Sequence, residues 1–171
     1  KEFGPVYGFD VEEIPAEDVD HVKVSSTKIR KAIEEGDIAL ANRFLSSIFM
    51  LSGYVVKGNR LGHQLGYPTA NIELTEAHKL IPKDGVYAVR AQLLEGGRLL
   101  NGMCNIGKRP TVQGTTKTIE VHLFDFNEDI YGEPLRLFFV ERMRDEQKFE
   151  DLEALKKQLT NDEKRSREIL G

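Results

Sequence analysis

The central part of the chain consists of short segments of alternating apolar and polar residues, joined by turns, with no helical pattern between them. Residues 85–94 place four side chains on one face: Tyr87, Val89, Ala91 and Leu93. A Glu95-Gly96-Gly97 turn then leads into a return strand through Leu99 and Met103. Short strands in this order form antiparallel sheets, so the pattern predicts a barrel or a sandwich and excludes a parallel α/β sheet.

Two more strands and a closing helix follow this hairpin. Residues 118–126 alternate, with Ile119, Val121 and Leu123 on one face and Glu120 on the other. Leu135 to Val140 predict a further strand. Residues 149–170 predict a helix with an apolar stripe of Phe149, Leu152, Leu155 and Leu159.

The first 49 residues have a different pattern, with two short helical segments. Ser25, Ser26 and Thr27 are residue types that begin helices. Gly36 is suited to end the first helix, and Asp37 is suited to cap the second. The change near residue 50 therefore predicts two units, residues 1–49 and 50–171.

Composition limits the classes of function. The formal net charge of the 171 residues is −4, which argues against nucleic acid as a partner. The single cysteine excludes a disulfide framework and a thiolate metal site. No apolar run approaches the roughly 18 residues of a membrane span and no signal peptide opens the chain, so we expect a cytoplasmic protein without a membrane partner. Because Lys1 and not Met comes first, we expect a piece of a longer protein.

Residues 57–68 form a glycine-rich segment that is suited to phosphate binding. Gly58, Gly62 and Gly66 allow backbone amides to approach a polyphosphate without obstruction. Positive charge would come from Lys57, Arg60 and His63. The segment matches neither the Walker A loop nor the dinucleotide fingerprint. On glycine spacing alone, a flexible loop between strands is the favoured interpretation.

Thr69 and Asn71 follow this segment and are candidate ligands for a metal ion. Pro68 restricts the preceding residue to an extended conformation, and in an extended chain residues two apart point the same way. A hydroxyl and an amide oxygen are weak ligands for a free ion, but they suit Mg²⁺ that arrives on ATP phosphates. A turn or capping role for both residues is the alternative.

Glu120 is the candidate general base. It points away from the apolar face of its predicted strand, and a carboxylate can accept the proton of an alcohol that attacks a phosphoryl group. A glutamate on a strand is otherwise most often a solvated surface charge.

Five blocks of this sequence, in the same order, resemble the riboflavin kinase family. The first block ends in Pro68-Thr69-Ala70-Asn71 and the third contains Asn105-Ile106-Gly107. Together they extend over most of residues 50–165. The five blocks are residues 58–71, 85–89, 105–111, 120–126 and 144–149.

The resemblance implies a fold and a set of roles. The fold is a mainly β, six-stranded antiparallel Greek-key barrel with a C-terminal helix. The activity is phosphoryl transfer from Mg-ATP to riboflavin, with Glu120 as the base and Thr69 and Asn71 holding Mg²⁺. The implied ATP-binding residues are Lys57, Gly58, Arg60, Gly62, His63, Gly66 and Pro68. The implied flavin-binding residues are Gly85, Val86, Tyr87, Arg144, Glu146 and Phe149.

Residues 24–30 resemble a different family, the nucleotidyltransferase superfamily. Its late motif is similar to Ser25, Ser26, Thr27 and Arg30, on a helix N-terminus that suits an anionic phosphate. A plain N-cap explains the same residues equally well. In bacterial bifunctional FAD synthetases an FMN adenylyltransferase domain precedes the kinase, so residues 1–49 are expected to be the end of that domain. The superfamily's His-x-Gly-His element is missing from this sequence, so we expect no FAD synthesis.

Three other functions are compatible with parts of the pattern. A non-catalytic flavin or nucleotide carrier would keep the barrel, although it would need neither the metal pair nor the base. A kinase of similar fold could use CTP, since the loop sequences do not indicate which nucleotide base is bound. An oligomerisation or regulatory module is the third alternative, and it predicts no effect of ligands on the size of the particle.

Overall fold

The computed structural model describes residues 7–8, 18–19, 22–58, 62, 65–76, 78–93, 97–111 and 114–171. The helices are α1 (Ser26–Glu35), α2 (Ile38–Leu45) and α3 (Leu152–Leu170). The strands are β1 (Asp18–Val19), β2 (Val22–Lys23), β3 (Met50–Val56), β4 (Ala70–Leu74), β5 (Gly85–Leu93), β6 (Leu99–Thr111), β7 (Gly114–Leu123) and β8 (Pro134–Arg144). In the described part of the chain, no helix combines the length and the apolar character needed to cross a lipid bilayer.

Six strands, β3 to β8, close into an antiparallel barrel. Their order around the barrel is β3-β4-β7-β6-β5-β8, and β8 pairs with β3 to complete the ring. The neighbours β4–β7 and β5–β8 are not consecutive along the chain, which is the Greek-key type of connection. The predicted six-stranded Greek-key barrel with a C-terminal helix is therefore confirmed.

The interior of the barrel is filled by the apolar faces of the alternating strands. On β5 these residues are Tyr87, Val89 and Ala91, and all three are fully buried. The same cluster contains Ile119, Val121 and Leu123 from β7, as the alternation predicts. The side chains of opposite parity on these strands consequently point out of the barrel.

Helix α3 covers part of the outer surface of the barrel. A second apolar cluster joins Ala88, Met103 and Phe124 from the barrel to Leu170 of the helix. The helix begins at Leu152 and not at residue 149, so the predicted stripe is wrong at Phe149, which precedes the helix, and at Leu152, which is 53% exposed. The helix instead buries Asp162 and Ser166, whose polar atoms have partners: the Ser166 hydroxyl donates to the backbone oxygen of Gly102 at 3.0 Å. An apolar stripe alone therefore does not identify the buried face.

The start and end of α1 and the start of α2 lie at the predicted residues. The Ser25 side chain accepts from the backbone N–H of Lys28, and Gly36 ends α1 with a φ of 82°. Asp37 caps α2 by accepting from the N–H of Leu40 at 3.0 Å.

Both helices pack against the barrel. Ile33, Ile38 and Ala41 belong to the same apolar cluster as the barrel interior. The Asn42 amide donates to the oxygen of Phe139 at 2.9 Å and accepts from the N–H of Phe49 at 2.7 Å. The division of the chain into residues 1–49 and 50–171 stays a prediction, because helices and barrel that share one apolar core are compatible with one unit or with two.

Candidate active site

Five strands present a continuous row of side chains on the outer face of the barrel. Asn71 on β4 lies directly opposite Glu120 on β7, and Glu120 lies opposite Asn105 on β6. The row continues through Val86 on β5 to Arg144 on β8. Residues directly opposite one another across a sheet point to the same side. Pairing of β4 with β7 thus brings the predicted metal ligand Asn71 beside the predicted base Glu120.

A cavity of about 300 Å³, called the helix-side cavity below, lies between this row and helix α3. Four members of the row line it: Glu120, Asn105, Val86 and Arg144. The rest of its lining is formed by Gly62, Leu65, Tyr67, Thr69, Met103, His122, Glu146, Gln147, Phe149, Leu155, Leu159 and Asp162.

The lining of the helix-side cavity combines an apolar wall with polar groups. Phe149, Leu155 and Leu159 supply apolar surface from the loop before α3 and from the helix itself. Asn105 and Glu120 supply an amide and a carboxylate from the sheet. Such a site suits a ligand that has a flat apolar part and a hydroxylated part.

The carboxylate of Glu120 is held by an ion pair. Arg109 donates through Nη2 to Oε1 of Glu120 at 3.0 Å, and the Glu120 side chain keeps 27% of its surface exposed. Glu120 is therefore held in place by Arg109 and still accessible to a ligand.

A second cavity of about 370 Å³, called the barrel-mouth cavity below, opens at one end of the barrel. It is bordered by interior-facing side chains of the strands and by the loop that follows β7. Its lining is Val55, Pro68, Thr69, Ala70, Val121, Leu123, Phe126, Asn127, Glu128, Asp129, Ile130 and Tyr131. Thr69 lines both cavities, so the two sites meet at this residue.

Thr69 and Asn71 offer only neutral oxygens to a metal ion. The Asn71 amide packs so closely on Gly58 that a side-chain carbon at Gly58 would overlap it. Among the described residues there is no cluster of three or more His, Cys, Asp or Glu side chains that could hold an ion by itself. These residues fit a magnesium ion that is delivered with phosphate oxygens and keeps several waters, and they do not fit a permanently bound ion.

The glycine-rich segment contributes to both cavities in the part that is described. Lys57 Nζ lies 6.0 Å from the ring centroid of Tyr131, at the barrel-mouth cavity, which Pro68 also lines. Gly62 lines the helix-side cavity and accepts from the N–H of Tyr67 at 2.8 Å. Gly66 has a φ of 84°, a conformation that favours glycine. Two of the predicted phosphate-binding residues, Arg60 and His63, lie outside the described residues.

The six predicted flavin-binding residues do not all reach the helix-side cavity. Those that line it are Val86, Arg144, Glu146 and Phe149. Gly85 does not line the cavity: it has a φ of 151°, and a side-chain carbon at this position would overlap the backbone oxygen of Arg144.

Tyr87 lies elsewhere, inside the barrel, where its hydroxyl donates to the backbone oxygen of Lys83. Burial raises the pKa of Tyr87 to about 12, and the nearby Arg142 only partly offsets this effect. Successive residues of a strand point in opposite directions, so Val86 and Tyr87 cannot both face the cavity.

Arg144 is oriented by helix α3. Its Nε and Nη2 atoms donate to the two carboxylate oxygens of Asp162, with the shortest contact at 2.6 Å. Gln158 also donates to Asp162, at 2.8 Å. Asp162 is only 4% exposed, so the pair links the end of β8 to the helix at a buried position.

The residues that resemble the nucleotidyltransferase motif do not border the two cavities. Ser25, Ser26, Thr27 and Arg30 lie at the start of α1, are exposed, and line neither cavity. Their role stays a prediction.

Several lining residues were not named by the sequence patterns. The loop 126–131 carries no periodicity and is recognised only because it borders the barrel-mouth cavity. Asn105 lies within one of the five family-like blocks, and that membership was an available signal. No sequence signal identified Asp162, since a charged residue in the middle of a helix is normally expected to be exposed.

Comparisons with known proteins agree on the family. The riboflavin kinase family model (Flavokinase) matches residues 45–170, more than half of the chain. A bifunctional riboflavin kinase/FMN adenylyltransferase of Haemophilus influenzae is 41% identical over 157 residues, which cover 91% of this chain and 50% of that protein. The protein of the same name from Escherichia coli strain K12 is 40% identical over 168 residues, covering 98% of this chain and 53% of its own length.

A solved structure has the same fold. The crystal structure titled macrolide-efflux protein from Streptococcus pneumoniae matches with a TM-score of 0.84 and 38% identity, over 90% of this chain and 50% of that chain. The chain spans about half the length of the curated relatives it matches.

Proposed function

The chain belongs to the riboflavin kinase family, and from that premise we propose that it transfers the γ-phosphoryl group of Mg-ATP to the 5′-hydroxyl of riboflavin. The products are FMN and ADP. The observation that carries the proposal is the meeting of two cavities at Thr69, with the accessible carboxylate of Glu120 in one of them. A transfer between two bound substrates needs two adjoining sites of this kind.

Riboflavin occupies the helix-side cavity in this proposal. The flat apolar ring suits the wall formed by Phe149, Leu155 and Leu159, and the ribityl chain suits the polar groups of the sheet. Asn105 can both donate to and accept from hydroxyl groups. The end of the ribityl chain would then lie beside Glu120.

ATP occupies the barrel-mouth cavity, with its phosphates directed toward the glycine-rich segment and Thr69. Lys57 and the backbone near Gly58 are suited to the phosphates, as are Arg60 and His63 by their charge. Thr69 and Asn71 would hold Mg²⁺, which when bound neutralises charge on the phosphate oxygens.

The residues of this chain then supply positioning and a proton acceptor. Glu120 accepts the proton of the 5′-hydroxyl as its oxygen bonds to the γ-phosphorus. The bond from that phosphorus to the β,γ-bridging oxygen breaks, and ADP leaves with the electron pair. Helix α3 and Phe149 limit the access of water to the riboflavin side of the site.

The proposal also includes the setting of the reaction. Riboflavin and ATP are the partners, in the cytoplasm, and neither nucleic acid nor a membrane takes part. Residues 1–49 are proposed to be the end of an adenylyltransferase domain of the same parent chain. Because the His-x-Gly-His element is missing from this sequence, the chain by itself should make FMN and no FAD.

The role of Glu120 is tested by the isosteric variant Glu120→Gln. Removing a general base should lower kcat by a factor on the order of 10² to 10⁴, while both substrates still bind. Glu73→Gln is the matched control, because Glu73 is an exposed glutamate on β4 that lines neither cavity. Near-normal turnover of Glu120→Gln would reject the assignment of the base. Tight riboflavin binding by a wild-type chain that makes no FMN would instead favour the carrier function.

A further inference from the structure

We propose that Arg109 is a positioning residue for the reaction, acting through Glu120 and not on a substrate. The inference rests on the proposed function, since it requires Glu120 to be the base. The patterns and the resemblance gave Arg109 no role of its own.

The first observation is the ion pair itself. Arg109 Nη2 donates to Oε1 of Glu120 at 3.0 Å, and the two side chains are 38% and 27% exposed. Arg109 lies near the far end of β6 and pairs with Thr116, whereas Glu120 pairs with Asn105. The Arg109 side chain therefore reaches diagonally along the hairpin to contact the carboxylate. Such a contact is made by the length of the side chain and is not imposed by the pairing of the strands.

The second observation is where the two groups lie relative to the cavity. Glu120 lines the helix-side cavity, while Arg109 is not among the described residues that line it. The guanidinium thus holds one carboxylate oxygen from outside the site. A carboxylate has a second oxygen, Oε2, and that atom can take the proton of a hydroxyl inside the cavity.

The third observation concerns the flexibility of a glutamate. Its side chain has three rotatable bonds, and proton transfer requires a carboxylate oxygen to lie within about 3 Å of the attacking hydroxyl. Asn71 and Asn105 flank Glu120 on the sheet, but neither is a cation. A charge-assisted hydrogen bond from Arg109 is stronger and more directional than a bond from a neutral amide. Arg109 consequently selects one orientation of Glu120.

The proposal predicts a specific kinetic pattern. Arg109→Ala should lower kcat about 10-fold to 100-fold, with the KM for riboflavin changed less than about threefold, because the substrate does not touch Arg109. Arg109→Lys keeps the charge and the stem, and should recover part of the loss. Lys108→Ala is the matched control: Lys108 is the neighbouring exposed cation, and its contact is with Asp84 at 3.7 Å. It should stay within about twofold of wild type.

The deciding experiment is a double-mutant cycle with Glu120→Gln, measured as FMN formed from riboflavin and Mg-ATP. If Arg109 acts through Glu120, Arg109→Ala should cost less than about twofold in the Glu120→Gln background. A loss that stays at 10-fold or more in that background would overturn the proposal, since Arg109 would then act on the phosphates directly. Unchanged kcat of Arg109→Ala in the otherwise wild-type chain would overturn it as well. A wild-type chain that forms no FMN would instead refute the proposed function, so the two failures are distinguishable. Thermal melts of each variant verify that it is folded.

Discussion

Replacing Asp162 with asparagine should destabilise the fold through the partner that it leaves behind. Asp162 accepts three hydrogen bonds from Arg144, at 2.9, 3.1 and 2.6 Å, and one from Gln158. The side chains of Asp162 and Arg144 are 5% and 20% exposed. Breaking a buried ion pair by removing one partner costs about 3–5 kcal/mol. Because a fifth of Arg144 reaches water, we expect the lower end of that range, about 3 kcal/mol.

Urea denaturation followed by circular dichroism measures this loss directly. A decrease of about 3 kcal/mol corresponds to a melting temperature lower by roughly 6–12 °C for a chain of this size. The matched control is Glu163→Gln, one residue along the same helix, whose pair with Arg167 is more exposed (27% and 43% of the two side chains) and should contribute less than about 1 kcal/mol. If Asp162→Asn unfolds within about 0.5 kcal/mol of wild type and with the same m value, the pair does not link α3 to the barrel in the way described.

Three further predictions concern other parts of the molecule. The pKa of Tyr87 is raised to about 12 from an ordinary value of 10.0. Neutral Tyr87 therefore stabilises the folded state fully below pH 10, and this stabilisation is lost as the pH rises toward 12. The free energy of unfolding should therefore fall by ~2 kcal/mol over that interval, and in Tyr87→Phe this part of the alkaline loss should be absent from urea titrations at pH 9 and 11.5. Gly58→Ala should displace the Asn71 amide and raise the KM for Mg-ATP about 10-fold or more, with riboflavin binding unchanged. A KM within twofold of wild type would contradict the close packing of Asn71 on Gly58. Asn42→Ala removes the hydrogen bonds from α2 to Phe139 of β8 and to Phe49, which directly precedes β3, and should cost about 2 kcal/mol in a chemical melt. No loss would mean that the helix is not held there.

The antiparallel β architecture was predictable because the strands are amphipathic, whereas the closed six-stranded barrel was what the resemblance to the riboflavin kinase family implied. The alternation at Tyr87, Val89 and Ala91 identifies the side that faces the interior, and a closed barrel needs one such side on each strand. The helix boundaries at Ser25, Gly36 and Asp37 were equally predictable from sequence, since capping depends on residues that are close in the chain.

The candidate site was predictable only in part, because it depends on contacts between distant segments. The alternation on β5 already placed Tyr87 in the interior, so only one of the neighbours Val86 and Tyr87 could face the helix-side cavity. The burial of Asp162 could not be foreseen, since it requires Arg144 from another element as its partner. The exposure of Leu152 has the same origin: tertiary contacts, and not the apolar stripe, determine which face of α3 is covered.

The most direct test of the central claim is to incubate the purified chain with riboflavin, ATP and Mg²⁺ and to separate the flavins by chromatography. A kinase site should give FMN and ADP in equal amounts, no FAD, and loss of the FMN peak when EDTA removes the metal. Riboflavin that remains unphosphorylated under these conditions, in a chain shown to be folded, would contradict the claim that the two cavities meeting at Thr69 form a kinase site.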